Sequence, residues 1–207
     1  GGDAFWLIHD PQTGQVRYLD GGGRASSNAD IGYFTQRGMH EVPFRGILPA
    51  TLTTPGAVSS WFAAHQAFGK LPVQRSLQAA IAYAKEGYPV TERLAGWLQF
   101  TQAELQPLPG WRNLFMPNAR LPVAGSTLTN PALARTLQAV ADGGAAAFYG
   151  GEVGQSLANF SQQQGGFFTL QDLAAQQARW GEPLVGQYRD LTLYQTPAPT
   201  QGFTVLQ

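Results

Sequence analysis

The sequence predicts an α+β fold, with strands first and helices after. Three observations carry this. Residues 4–19 form two extended runs around a turn, helical spacing of apolar residues takes over from Ala57, and extended chain returns after Pro183. The 207 residues are 43% hydrophobic and 12% aromatic, ordinary values for a globular protein. A chain of this length buries roughly 70% of the surface it exposes when unfolded, so residues 1–207 are expected to be one domain or a piece of one.

The elements follow in order. Ala4 to Ile8 is apolar and aromatic, Asp10-Pro11-Gln12-Thr13-Gly14 is turn chemistry, and Gln15 to Leu19 alternates with a period of two, which is a β-hairpin. A first strand apolar at nearly every position is expected to be covered on both faces. Gly21-Gly22-Gly23 then permits backbone angles that other residues resist, and Arg24 follows. Ala57 to Phe68 has helical spacing, with Thr54 as N-cap, Pro55 in the first turn and Gly69 as stop. Ser76 to Glu86 is a second helix ended by Gly87. Thr91 caps a third, to Leu105, which Pro107 and Pro109 end.

Residues 107–129, rich in Pro, Gly and Asn, read as an irregular excursion. Asn130-Pro131 opens a helix that Gly143-Gly144 closes, and another runs from Glu152 to Gln163. Thr169 and Asp172 form a variant capping box on a short helix. The chain is then extended from Pro183 to Tyr188, with a strand at Leu191 to Tyr194. There is no repeat and no low-complexity block.

Thirteen Lys and Arg balance thirteen Asp and Glu, for a formal charge of zero. Nucleic-acid binding is not expected, because phosphate neutralisation needs a basic excess, and a polybasic membrane surface is equally disfavoured. No apolar run approaches the roughly 18 residues of a membrane span, and the first residues lack the pattern of a signal peptide. Without cysteine there is no disulfide framework, no thiolate metal site and no thiol nucleophile. The opening Gly1-Gly2-Asp3 and the closing Gly202 to Gln207 both read as cut ends of a longer chain. Location, periplasmic or cytoplasmic, stays open on this reading.

His9, His40 and His65 lie at unrelated spacings with no accompanying carboxylate pattern, so no metal site is expected. The nucleophile elbow Gly-x-Ser-x-Gly, the Walker loop and the dinucleotide glycine motif are absent. The glycine pairs beginning at 143, 150 and 165 read as helix ends. Glu86 and Glu92 flank Gly87-Tyr88-Pro89 and imitate a carboxylate pair, but solvated helix ends explain them better. Arg24 stands apart. An arginine on a glycine turn after a strand offers a bidentate fork to a carboxylate, with an ordinary salt bridge as the alternative reading.

Several segments together form a wider pattern. They are Gly1-Gly2-Asp3-Ala4-Phe5, Gly23-Arg24-Ala25-Ser26, Thr54-Pro55-Gly56-Ala57-Val58, Phe68-Gly69-Lys70-Leu71-Pro72 and Ala82 to Val90. Asn130 to Leu137, Ala147-Phe148-Tyr149-Gly150-Gly151, Thr169 to Ala174, Trp180 to Leu184 and Thr196 to Gly202 continue the series. In order and spacing, over practically the whole chain, this resembles the large subunit of the γ-glutamyltransferases, also called glutathione hydrolases.

The resemblance implies an N-terminal-nucleophile hydrolase, a four-layer αββα sandwich of which this chain is part of the large subunit. It further implies a self-cleaving precursor, with the small subunit from that precursor as partner and its new N-terminal threonine as nucleophile, whose α-amine acts as base. No residue of this chain is then the nucleophile, and no cofactor is implied. Arg24 matches the family's arginine that grips the α-carboxylate of the γ-glutamyl group. The chain departs from the main pattern in reading Arg24-Ala25-Ser26-Ser27, without the glutamate and proline that usually follow. That form resembles a glycine-arginine-alanine subgroup with cephalosporin acylases and small-amide hydrolases such as oxamate amidohydrolase. The expected substrate is a carboxylate-bearing small amide, a γ-glutamyl compound first and a shorter amide as alternative. A catalytically silent binding relative is the reading from another class.

Overall fold

The computed structural model describes residues 2–42, 46 and 51–207, so Gly1 of the opening motif lies outside the described residues. In chain order the elements are β1 (Ala4–His9), β2 (Val16–Gly21), α1 (Ile31–Thr35), α2 (Ala57–Phe68), α3 (Val73–Glu86), β3 (Tyr88–Pro89), α4 (Glu92–Leu105), α5 (Pro109–Phe115), β4 (Thr127–Leu128), α6 (Pro131–Tyr149), α7 (Glu152–Gln163), α8 (Leu170–Ala175), β5 (Arg179–Gly181), β6 (Leu184–Tyr188), β7 (Leu191–Gln195) and α9 (Gly202–Leu206). They divide into two compact units, Gly1–Lys70 with Gly143–Gln207, and Leu71–Asp142.

In the first unit the hairpin β1–β2 pairs Ala4 with Gly21 and His9 with Val16. β5 joins the free edge of β2, Leu19 opposite Trp180, to give the antiparallel order β1-β2-β5. Side chains alternate across a strand, so Trp6, Leu19 and Trp180 share a face. Helix α2 lies on it: Trp6 Nε1 donates to Ser60 Oγ at 2.9 Å, and Leu19 is fully buried. Burial of that leucine contributes about 1.5–3 kcal/mol. The other face carries Phe5, Leu7 and Tyr18. Leu7 remains 39% exposed there, so the described chain leaves part open a strand that its sequence predicts to be covered on both sides. Elsewhere in this unit α7 and α8 pack around Ala158 and Leu173, and α9 lies on the hairpin β6–β7, Leu206 against Gly186.

The second unit holds α3, α4, α5, the first turns of α6 and the two-residue ladder β3–β4, in which Tyr88 faces Leu128 and Pro89 faces Thr127. Ala84, Val90, Leu98, Met116, Leu128, Ala134, Leu137, Val140 and Ala141 are its buried apolar residues among the described residues. Thr91 caps α4 by accepting from Leu94 N at 3.1 Å, and Asn130 Oδ1 caps α6 by accepting from Leu133 N at 3.0 Å.

Most elements form where the sequence places them, and the differences have local causes. Thr54 is not the cap of α2. The helix begins at Ala57 after Gly56, and the carbonyl of Gly2 takes up the N–H groups of Gly56 and Ala57 at 3.1 and 2.9 Å. Helix α3 starts at Val73 rather than Ser76, because the Pro72 carbonyl accepts from Arg75 N and Ser76 N. The expected excursion contains α5, with Pro109 in its first turn, where the missing N–H costs nothing. Gly144 (φ 68°) interrupts α6 at the expected helix end, but helical chain resumes to Tyr149.

Candidate functional site

Arg24 is held on a loop whose backbone is specified almost atom by atom. The N–H of Gly22 donates to Asp20 Oδ1 at 2.8 Å, that of Gly23 to Asp3 Oδ1 at 2.6 Å, and that of Arg24 to Gln176 Oε1 at 3.2 Å. The carbonyl of Gly22 accepts from Gln176 Nε2 at 3.1 Å, and that of Arg24 from Thr54 N at 2.9 Å. Three successive amide donors are therefore occupied, and the loop has no free nest of N–H groups for an anion. The Arg24 side chain is exposed and has no hydrogen-bond or ion-pair partner among the described residues. Its guanidinium is an unused donor group of the loop.

The glycines serve close approach rather than unusual angles. None of Gly21, Gly22 and Gly23 has a positive φ, which corrects the sequence expectation. A Cβ on Gly23 would overlap the Thr54 carbonyl and sit 2.8 Å from Thr53 Oγ1, and one on Gly21 would meet Ser60 Cβ at 2.5 Å. Gly56 is pressed in turn against Gly22 and Gly23. Four glycines thus let the loop, the start of α2 and the strand end share one small volume.

Beyond Arg24 the chain is tied to α8 by Asp172. Ser26 Oγ lies 2.7 Å from both Asp172 Oδ2 and the Phe167 carbonyl, sharing its one proton between them. Ser27 N and Ser27 Oγ both donate to Asp172 Oδ1 at 3.0 Å. The same carboxylate closes the capping box, accepting from Thr169 N at 2.8 Å and Thr169 Oγ1 at 2.9 Å. Partial burial pushes this carboxyl up, but the Ser27 N–H, the Ser26 hydroxyl and the Thr169 groups outweigh it and hold Asp172 well below the usual carboxylate range.

His9 and His40 are exposed and His65 half-buried. Glu86 and Glu92 are exposed at helix ends in the second unit. Two supporting residues escaped the sequence reading. Gln176 resembles any polar residue after a helix, and Asp172 signals only its cap. Thr54 is 1% exposed with an Oγ1 that finds no partner among the described residues.

The model of the γ-glutamyltranspeptidase family matches residues 1–207. The chain belongs to that family. Among γ-glutamyltranspeptidase-family proteins it is 37% identical over 211 residues to the oxamate amidohydrolase proenzyme of Klebsiella pneumoniae, covering 100% of this chain and 39% of that protein. It is 32% identical over 209 residues to the glutathione hydrolase-like YwrD proenzyme of Bacillus subtilis, with the same two coverages. In structure it is similar to the cephalosporin acylase of Bacillus halodurans, with a TM-score of 0.87, 32% identity, 95% of this chain covered and 37% of that one. It is also similar to the γ-glutamyltranspeptidase of Pseudomonas nitroreducens complexed with L-DON, with a TM-score of 0.83, 28% identity, and coverages of 98% and 59%. The fold is thus the α+β fold of the γ-glutamyltranspeptidases and the wider N-terminal-nucleophile hydrolases. The chain spans 39% of the length of the two curated relatives.

Proposed function

We propose that the complete protein is a self-processed amide hydrolase or acyltransferase acting on a small amide that carries a carboxylate, a γ-glutamyl compound in the first instance. Arg24 binds that carboxylate. The observation that carries this reading is an exposed guanidinium, unpaired among the described residues, on a backbone whose donors and acceptors are already bound to Asp20, Asp3, Gln176 and Thr54. A planar fork offers two parallel N–H groups to a carboxylate, and a loop ordered before binding loses little entropy when the ligand arrives.

On this reading the chain supplies binding and orientation, and the chemistry comes from the small subunit of the same precursor. Its N-terminal threonine attacks the amide carbonyl, with its own α-amine taking the hydroxyl proton. Arg24 fixes the acyl donor at its carboxylate end, so the scissile carbonyl meets the nucleophile in one orientation. The names of the relatives, both proenzymes, support processing. A second reading, hydrolysis of a shorter amide such as oxamate, is favoured by the 37% identity to the oxamate amidohydrolase and by Ala25-Ser26 after the arginine.

The test is product release by the complete, matured protein from a γ-glutamyl anilide and, in parallel, ammonia release from oxamate. Anilide cleavage that falls with Arg24→Ala supports the first reading, and ammonia release alone supports the second. No turnover of either, with no self-cleavage on a gel, leaves a silent binding relative and overturns the proposal.

A further inference from the structure

Helix α8 reaches the Arg24 loop twice, from its two ends. At its start Asp172 holds Ser26 and Ser27, two and three residues after the arginine. At its end the carboxamide of Gln176 spans Gly23, donating to the Gly22 carbonyl at 3.1 Å and accepting from the Arg24 N–H at 3.2 Å. Arg24 sits between the two grips. Gln176 is only 5% exposed, so water competes poorly for these bonds. Its partners also fix which way the amide faces, because Nε2 can only donate and Oε1 can only accept. The two peptide planes on either side of Gly23, the second of which carries the Arg24 N–H, are thereby fixed by one side chain 152 residues further along the chain, and the plane after Arg24 is held at its carbonyl by Thr54 N.

We propose that Gln176 is a positioning residue for substrate, acting through Arg24 by fixing the direction in which the guanidinium leaves the loop. This rests on the reading of Arg24 as the carboxylate-binding group. No other residue type does the same work at this place. Glutamate keeps the acceptor for Arg24 N–H but turns a carboxylate oxygen toward the Gly22 carbonyl, while methionine keeps the length and offers neither bond.

The experiment is a double-variant cycle in the complete, matured protein, on whichever of the γ-glutamyl anilide and oxamate it turns over. Gln176→Met is expected to lower kcat/KM roughly tenfold, mostly through KM, as two hydrogen bonds of ordinary worth are lost. In the Arg24→Ala background the same change is expected to cost nothing more, because there is no guanidinium left to aim. Gln176→Glu, which keeps size and polarity, regains its donor only when protonated, so its rate relative to the unaltered protein is expected to recover as the pH falls. A merely structural role would cost as much without Arg24 as with it. An equal loss with and without Arg24, or a Gln176→Glu ratio flat with pH, overturns the inference and leaves the reading of Arg24 standing. An Arg24→Ala protein with unchanged kcat/KM, or no turnover of either amide, overturns both.

Discussion

Gln176 accepts a hydrogen bond from the backbone N–H of Arg24 at 3.2 Å while remaining 5% exposed. On the proposed reading, a carboxylate-binding side chain on the surface is steered by a buried one, and the two jobs are divided between loop and scaffold. The loop keeps its guanidinium free, and the scaffold removes the freedom of the backbone beneath it. The same division explains why the glycines around Arg24 matter more than their flexibility suggests.

The geometry of the fork is expected to count as well as its charge. Arg24→Lys keeps a cation but loses the planar pair of donors. In kcat/KM on the active amide, Arg24→Ala is expected to lose at least roughly thirtyfold, corresponding to about 2 kcal/mol of a stripped charge pair. Arg24→Lys is expected to fall between that variant and the unaltered protein. Equal rates for Lys and Arg would show that charge alone suffices.

Gly23→Ala is expected to be costly for a reason of space. The added Cβ overlaps the Thr54 carbonyl and lies 2.8 Å from Thr53 Oγ1, so the loop has to move against α2. Overpacking of this kind costs about 1–3 kcal/mol. Gly96, inside α4, is the contrast: nothing lies within 4 Å of its added Cβ, and Gly96→Ala is expected to stabilise by about 0.5–1 kcal/mol. Denaturant midpoints of the two variants should move in opposite directions, and only Gly23→Ala should lose activity.

Asp172 is expected to make the loop sensitive to acid. Burial raises its carboxyl, but the hydrogen bonds from Ser27, Ser26 and Thr169 win and depress it. A carboxyl depressed in the folded state contributes stability that is present above its unfolded value, near 3.8, and lost as the pH falls from there toward the folded one. Stability of the protein is therefore expected to drop below about pH 4, and Asp172→Asn is expected to flatten that part of the curve while lowering the plateau above it. Denaturant melts at a series of pH values measure both. A variant curve parallel to that of the unaltered protein would exclude Asp172 as the source.

Much of the fold was legible because its signals are local. The hairpin of β1 and β2, the Thr91 cap and the Thr169–Asp172 box are all written within a few neighbouring residues. The glycine turn that carries Arg24 was legible for the same reason, its three glycines being adjacent in the sequence. The pairing of β5 with β2 and the grips of Asp172 and Gln176 on the loop were not, since each joins residues far apart in sequence. Proline misled at Pro109, where it starts a helix as readily as it ends one. The three glycines were noticed for the wrong property, because a sequence cannot say whether a glycine is needed for its angles or for the space its missing side chain leaves.

At Thr54 the sequence expectation and the structure part most sharply. As an N-cap, its hydroxyl would be worth about 1 kcal/mol, and Thr54→Val would destabilise the protein by that amount. In the structure the cap of α2 is backbone, the Gly2 carbonyl serving Gly56 N and Ala57 N. Thr54 Oγ1 is instead buried with no hydrogen-bond partner among the described residues. A buried hydroxyl without a partner costs desolvation and returns nothing, so an apolar group of the same shape is neutral or better. Thr54→Val is therefore expected to leave the denaturant midpoint unchanged or raised. The backbone N–H of Thr54, which donates to the Arg24 carbonyl at 2.9 Å, survives the substitution, so kcat/KM on the active amide is expected to hold as well. A lower midpoint would mean that the hydroxyl has a partner in the complete protein. A lowered kcat/KM at constant stability would place that partner in the substrate.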